Sequence, residues 1–94
     1  MSCTPFEPDV HHRRLVANGA LLLDVRSPSE FHEGHLPRAK NVPLSELRWR
    51  LHELGPTRRP VVVYCRSGNR SSQAAAMLCE AGFPVRDLGP ISAW

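Results

Sequence analysis

The segment PVVVYC, Pro60 to Cys65, followed at once by RSGNRSS, is the most restrictive feature of this 94-residue sequence. Its β-branched, uncharged run has the composition of a strand buried on both faces. A polar loop containing Gly68 follows, and then SSQAAAMLCEAG, an alanine-rich stretch predicted to be helical from Ser71 or Ser72 and closed by Gly82. A buried strand that turns directly into a helix is the building unit of a parallel α/β sheet, and it sets that class for the chain.

The rest of the sequence supplies matching pieces. EPDVHHRRLVANG carries Val10, Leu15 and Val16 at near-helical spacing and stops at Gly19. ALLLDVR is a second continuous apolar run and predicts a second doubly buried strand. In SPSEF, Ser27 is the expected N-cap, Pro28 the first helical residue and Glu30 the reciprocal partner of a capping box. Asn41 and Val42, between Pro37 and Pro43, predict a short strand. SELRWRLHELG places Leu44, Leu47, Leu51 and Leu54 on one face of a helix ending at Gly55. PVRDL predicts the last strand. Trp49 and Trp94 are expected to pack.

Length allows one domain, residues 1–94, and one modest core. No apolar run reaches bilayer length, and MSCTPFEPDV has neither a basic start nor an apolar core, so a cytoplasmic protein without a membrane partner is expected. Three widely spaced cysteines make no disulfide framework and no Cys-x-x-Cys metal pair, which predicts reduced thiols. The net charge of +3 is carried almost wholly by arginine, and it divides as −1 over residues 1–47 and +4 over 48–94. The positive half is the one with the cysteine loop. Aromatic residues do not interleave with the arginines and no nucleic-acid reader motif occurs, so a nucleic-acid partner is not expected.

Cys65 stands where ligands bind in open α/β sheets, beyond the carboxyl end of a strand. A loop turning at Gly68 presents its N–H groups inward, and the following helix adds its positive end. That field favours a thiolate over a thiol whose ordinary pKa is about 8.5, which marks Cys65 as a candidate nucleophile. Arg66 and Arg70 offer forked donors to an oxyanion. Cys79, inside the alanine-rich helix, is expected to pack instead. Asp24 is expected to be tied to loop amides or an arginine, Arg26 to pair with Glu30, and His35 to make a structural hydrogen bond. His32 and His35, three apart, do not make a ligand set, and no metal site is expected.

LLDVRSPSEFHEGHLPRAKNVPL, VVVYCRSGNRSSQAAAMLCEAGF and LGPISAW, in that order, resemble the single-domain rhodaneses, a sulfurtransferase family, over nearly the whole chain. The resemblance implies a rhodanese-like α/β fold, a central parallel five-stranded sheet flanked by helices. It implies that Cys65 carries a sulfane sulfur as a persulfide, that Arg66, Ser67, Gly68, Asn69 and Arg70 form the substrate cradle, and that Asp24 and Arg26 support it. The implied donor is a small molecule such as thiosulfate; the acceptor is cyanide, a small thiol or a protein thiol. No cofactor is implied. The sequence departs from the family at Pro90, where a second glycine is usual, at Arg38, where glycine is common, and in stopping at Trp94, which is expected to leave one edge of the sheet uncovered. Two alternatives stay open. A cysteine-dependent phosphatase or arsenate reductase also joins a thiolate to an arginine, but with five residues between them where Cys65 and Arg70 have four. A non-catalytic binding module usually lacks the loop cysteine.

Overall fold

The computed structural model describes residues 11–94; Cys3 and Val10 lie outside them. Helix α1 (His12–Ala17) leads into β1 (Leu21–Asp24), followed by α2 (Pro28–Glu33), β2 (Lys40–Asn41) and α3 (Leu44–Leu47). A 3-10 turn (Leu51–Leu54) precedes β3 (Val61–Cys65), α4 (Asn69–Glu80), β4 (Val85–Pro90) and a final 3-10 turn (Ile91–Ala93). The strands form one parallel sheet in the order β2-β1-β3-β4. Four strands stand among the described residues where the resemblance implied five. The segments between β2 and β3 and after β4 turn into helical structure, which leaves no described segment to extend the sheet.

Both apolar runs are buried along their whole length, as their composition requires. Alternation of side chains divides them between two cores. Leu21, Leu23, Val25, Val61, Val63 and Cys65 face α3, the first 3-10 turn and α4; Leu22, Val62, Tyr64 and Leu88 face α1 and the residues around Leu36 and Trp94. Helix α4 packs on the sheet through a buried face of Ser71, Ala74 and Leu78.

The capping box at Ser27 forms as predicted: the Glu30 N–H donates to Ser27 Oγ at 3.2 Å, and the Ser27 N–H donates to Glu30 Oε1 at 3.0 Å. The leucine face of 44–54 is buried as expected, with Leu47 and Leu54 inaccessible, but the helix is broken. Hydrogen bonds from Trp49 to Glu46, Arg50 to Leu47 and Glu53 to Arg50 span three residues, not four. Arg50, held by Glu46 at 3.0 Å and Glu53 at 2.8 Å, bridges the break. Trp49 then falls on the outside, 70% exposed, contrary to the expectation that it packs. Helix α4 begins at Asn69, two or three residues earlier than predicted, because Gly68 itself is the N-cap.

Arg38 is the single non-glycine residue with positive φ among the described residues, at +70°. Its backbone occupies the left-handed region that costs a side-chain-bearing residue about 1–2 kcal/mol, which accounts for the glycine common there in the family. Arg38→Gly should therefore raise unfolding stability, by about 1 kcal/mol or less once glycine's greater unfolded-state freedom is subtracted. Leu47→Ala should instead lower it by about 2–5 kcal/mol. Urea denaturation of both variants measures the two effects.

Candidate active site

Cys65 ends β3 with no exposed surface, and its sulfur is met by backbone donors from the loop that follows. The Gly68 N–H donates to Sγ at 3.0 Å and the Ser71 N–H at 3.3 Å. Gly68 makes this turn at φ +102°, a conformation that glycine takes without strain. Burial pushes the Cys65 thiol up. Hydrogen bonds from the Ser71 hydroxyl and from the N–H groups of Ser71, Gly68 and Ser67 outweigh burial and hold the pKa below its ordinary value. The Ser71 hydroxyl also donates to the Gly68 carbonyl oxygen at 3.0 Å, and one hydrogen serves one acceptor at a time. The fixed backbone N–H groups are thus the dependable donors.

The neighbouring strand end is braced by a buried ion pair. Arg26 donates its backbone N–H to Asp24 Oδ1 at 2.8 Å and its guanidinium to Oδ2 at 2.7 Å. Tyr64 donates its hydroxyl to Asp24 Oδ2 at 2.8 Å and accepts from the Leu36 N–H. A further Arg26 bond, to the Gly34 carbonyl at 2.6 Å, ties the loop after α2 to the same cluster. Asp24 is thus bound to an arginine, one of the two kinds of partner expected for it. The expected pairing of Arg26 with Glu30 does not form. Both Arg26 and Glu30 have nearer, better-aimed partners.

Glu30 takes Arg70 instead, in a two-pronged pair of 2.6 and 2.9 Å across 40 residues of sequence. Arg70 was expected to present its fork to a substrate oxyanion; two of its nitrogens are committed to Glu30. Arg66 and Ser67 on the loop and Asn69 at the first position of α4 are exposed, and Arg66 makes no ion pair among the described residues. Pro90 is in register with Cys65, and its ring lies against Gly68, so the departure at this position forms part of the loop's wall. His35 makes its structural bond to the Phe31 carbonyl at 2.9 Å and stacks on that ring. Cys65 is a free, buried cysteine. Sequence reasoning missed Tyr64, Ser71 and the reach of Glu30. Of these, only Ser71 carried a local signal, its place at a helix start six residues after the cysteine.

Fold and site together define a parallel α/β domain built around a thiol cradled by loop amides. Comparison with known proteins agrees: residues 7–94 match the rhodanese-like domain family, and the chain belongs to it. A sulfurtransferase of Allochromatium vinosum is 45% identical over 76 residues, covering 79% of this chain and 70% of that protein. The adenylyltransferase and sulfurtransferase MOCS3 of Drosophila persimilis is 43% identical over 94 residues, covering 89% of this chain. This chain spans only 21% of that relative's length. Among solved structures, a rhodanese with anions from E. coli superposes with a TM-score of 0.76 at 31% identity, covering 81% of this chain and 92% of that one. No helix among the described residues is long and apolar enough to cross a membrane.

Two outcomes follow from the electrostatics. Alkylation of Cys65, though slow because the thiol is buried, should show a pH midpoint below that of a free model thiol, and Ser71→Ala should recover only a minor part of the difference. Glu30, hydrogen-bonded by Arg70 and by the Ser27 N–H, is held at about 2 against an ordinary 4.5. Its contribution to stability is complete above 4.5 and is lost as the pH falls toward 2. Glu30→Gln should flatten part of the acid-unfolding curve in that window. The remainder belongs to groups such as Glu53, which Arg50 also holds at about 2.

Proposed function

We propose that this chain carries sulfane sulfur on Cys65 and passes it to a nucleophilic acceptor. The observation that carries this reading is the pair of backbone N–H groups, of Gly68 and Ser71, at 3.0 and 3.3 Å from a sulfur whose pKa is lowered. Such donors stabilise a thiolate before attack and an anionic persulfide after it. Membership of the rhodanese-like family, and relatives named sulfurtransferases, support the same chemistry.

With thiosulfate as donor, the Cys65 thiolate attacks the outer sulfur, the S–S bond to the sulfonate breaks, and sulfite leaves with the bonding pair. Cys65 is then a persulfide. Cyanide or a thiolate next attacks the outer sulfur, the Cys65 Sγ–S bond breaks, and thiocyanate or a new persulfide leaves with the Cys65 thiolate restored. Arg66 is the loop cation placed to attract an anionic donor, and the anions held by the E. coli relative fit that use. Arg70 acts through geometry: its fork fastens the first turn of α4 to Glu30, and thereby keeps the Ser71 N–H on the sulfur. A phosphatase reading would need the Arg70 fork on the substrate, and Glu30 occupies it.

Mass spectrometry after treatment with thiosulfate should show the mass of one added sulfur, mapped to the Cys65 peptide and absent from Cys65→Ser. A folded Cys65→Ser protein that still converts thiosulfate and cyanide to thiocyanate would overturn the assignment. Arg70→Lys keeps the charge but cannot form the two-pronged pair, so turnover should fall about tenfold or more, equivalent to about 1.4 kcal/mol of transition-state stabilisation. Equal rates for Arg70→Lys and the parent would show that charge alone suffices.

A further inference from the structure

A cavity of about 290 Å³ lies between the residues that follow β1, the start of α3 and the first turn of α4, lined by Val25, Ser27, Pro43, Leu44, Ser45 and Arg70. Its position follows from the sheet. Asp24 and Tyr64 are register partners, so the residues after them, Val25 and Cys65, are neighbours across the β1–β3 pair. Alternation puts both on the face covered by α3 and α4, in one buried cluster. Arg70, which also lines the cavity, immediately precedes the residue whose N–H donates to Sγ. The thiol itself is inaccessible, and a bound outer sulfur extends about 2 Å beyond Sγ. A molecule that removes that sulfur has to sit close beside it.

The walls say what kind of molecule fits. Val25, Pro43 and Leu44 are apolar, and the lining surface is mostly so. Ser27 and Ser45 add hydroxyls. The cation on Arg70 is balanced by Glu30 at 2.6 Å, so the cavity offers no net charge to a second anion. At about 30 Å³ for each water-sized group, the volume holds roughly ten non-hydrogen atoms, far more than cyanide requires.

We infer that this cavity binds the organic body of a thiol acceptor, compact, uncharged and largely apolar. The inference rests on the reading of Cys65 as a sulfur carrier. With the body seated, the acceptor thiol releases its proton to solvent and its thiolate attacks the outer sulfur of the Cys65 persulfide. The Sγ–S bond breaks, the acceptor leaves as a persulfide, and the Cys65 thiolate keeps the electron pair. Burial of the acceptor's apolar body is then the source of preference for such thiols over cyanide.

Phenylmethanethiol serves as the acceptor probe and phenylmethanol as its unreactive counterpart. Ser45 is exposed on α3, so Ser45→Trp fills the cavity's mouth without disturbing the core. The ratio of kcat/KM for phenylmethanethiol to that for cyanide should fall about tenfold in this variant, mainly through KM, as expected for the loss of a contact worth about 1.4 kcal/mol. Titration of the resting parent protein with phenylmethanol should give saturable NMR shifts centred on Val25, Ser27, Leu44 and Ser45, and Ser45→Trp should abolish them. An unchanged ratio in Ser45→Trp, or the absence of saturable shifts at these residues, overturns the inference. The titration needs no turnover. Failure of Cys65 to take up sulfur in the mass-spectrometric test would overturn the sulfur-carrier reading, and the acceptor role with it, whereas sulfur loading with an unchanged ratio would overturn the acceptor site alone.

Discussion

The parallel pairing of β1 with β3 is the constraint on which the rest of the molecule depends. Both strands are buried on both faces, so neither tolerates a shift in register: a slip of one residue would exchange the two apolar cores and expose Asp24 to a hydrophobic layer. In the register adopted, Asp24 stands beside Tyr64 and the two strand ends are level. The loop after β1 and the loop after β3 therefore emerge side by side, and the Tyr64–Asp24 bond and the Glu30–Arg70 pair cross between the two sides.

Three layers of contact build on that alignment. Deepest is the Asp24–Arg26 pair with the Tyr64 hydroxyl, where a buried carboxylate is acceptable only because four donor atoms converge on it. Above it, Glu30 closes the capping box of α2 and holds Arg70 on α4, so one carboxylate secures the start of both helices. At the top, Gly68 and Ser71 turn their N–H groups onto the sulfur. Each layer sets the orientation of the next. The thiol needs no neighbouring base, because fixed dipoles aimed at the buried sulfur lower its pKa against the cost of burial.

Much of this was legible in the sequence because it is local. The capping box is read from three residues within one helical turn, and it formed as read. The strands were legible from their unbroken apolar runs, and Cys65 from its place between a strand and a glycine-containing loop. Local patterning reached its limit at 44–54, where leucine spacing described the buried face correctly but could not show that ion pairs of Arg50 would accompany a break and turn Trp49 outward.

What the amino-acid sequence determined by itself was the α/β class, the position of the thiol and the donors adjacent to it, since each depends on residues a few positions apart. The tertiary structure alone decided the partners of Arg26, Glu30 and Arg70. Several acids and bases of similar strength were available to each, and charge type cannot rank them. Packing of two strand ends 40 residues apart ranked them by distance, and in doing so it set the Arg70 fork on Glu30.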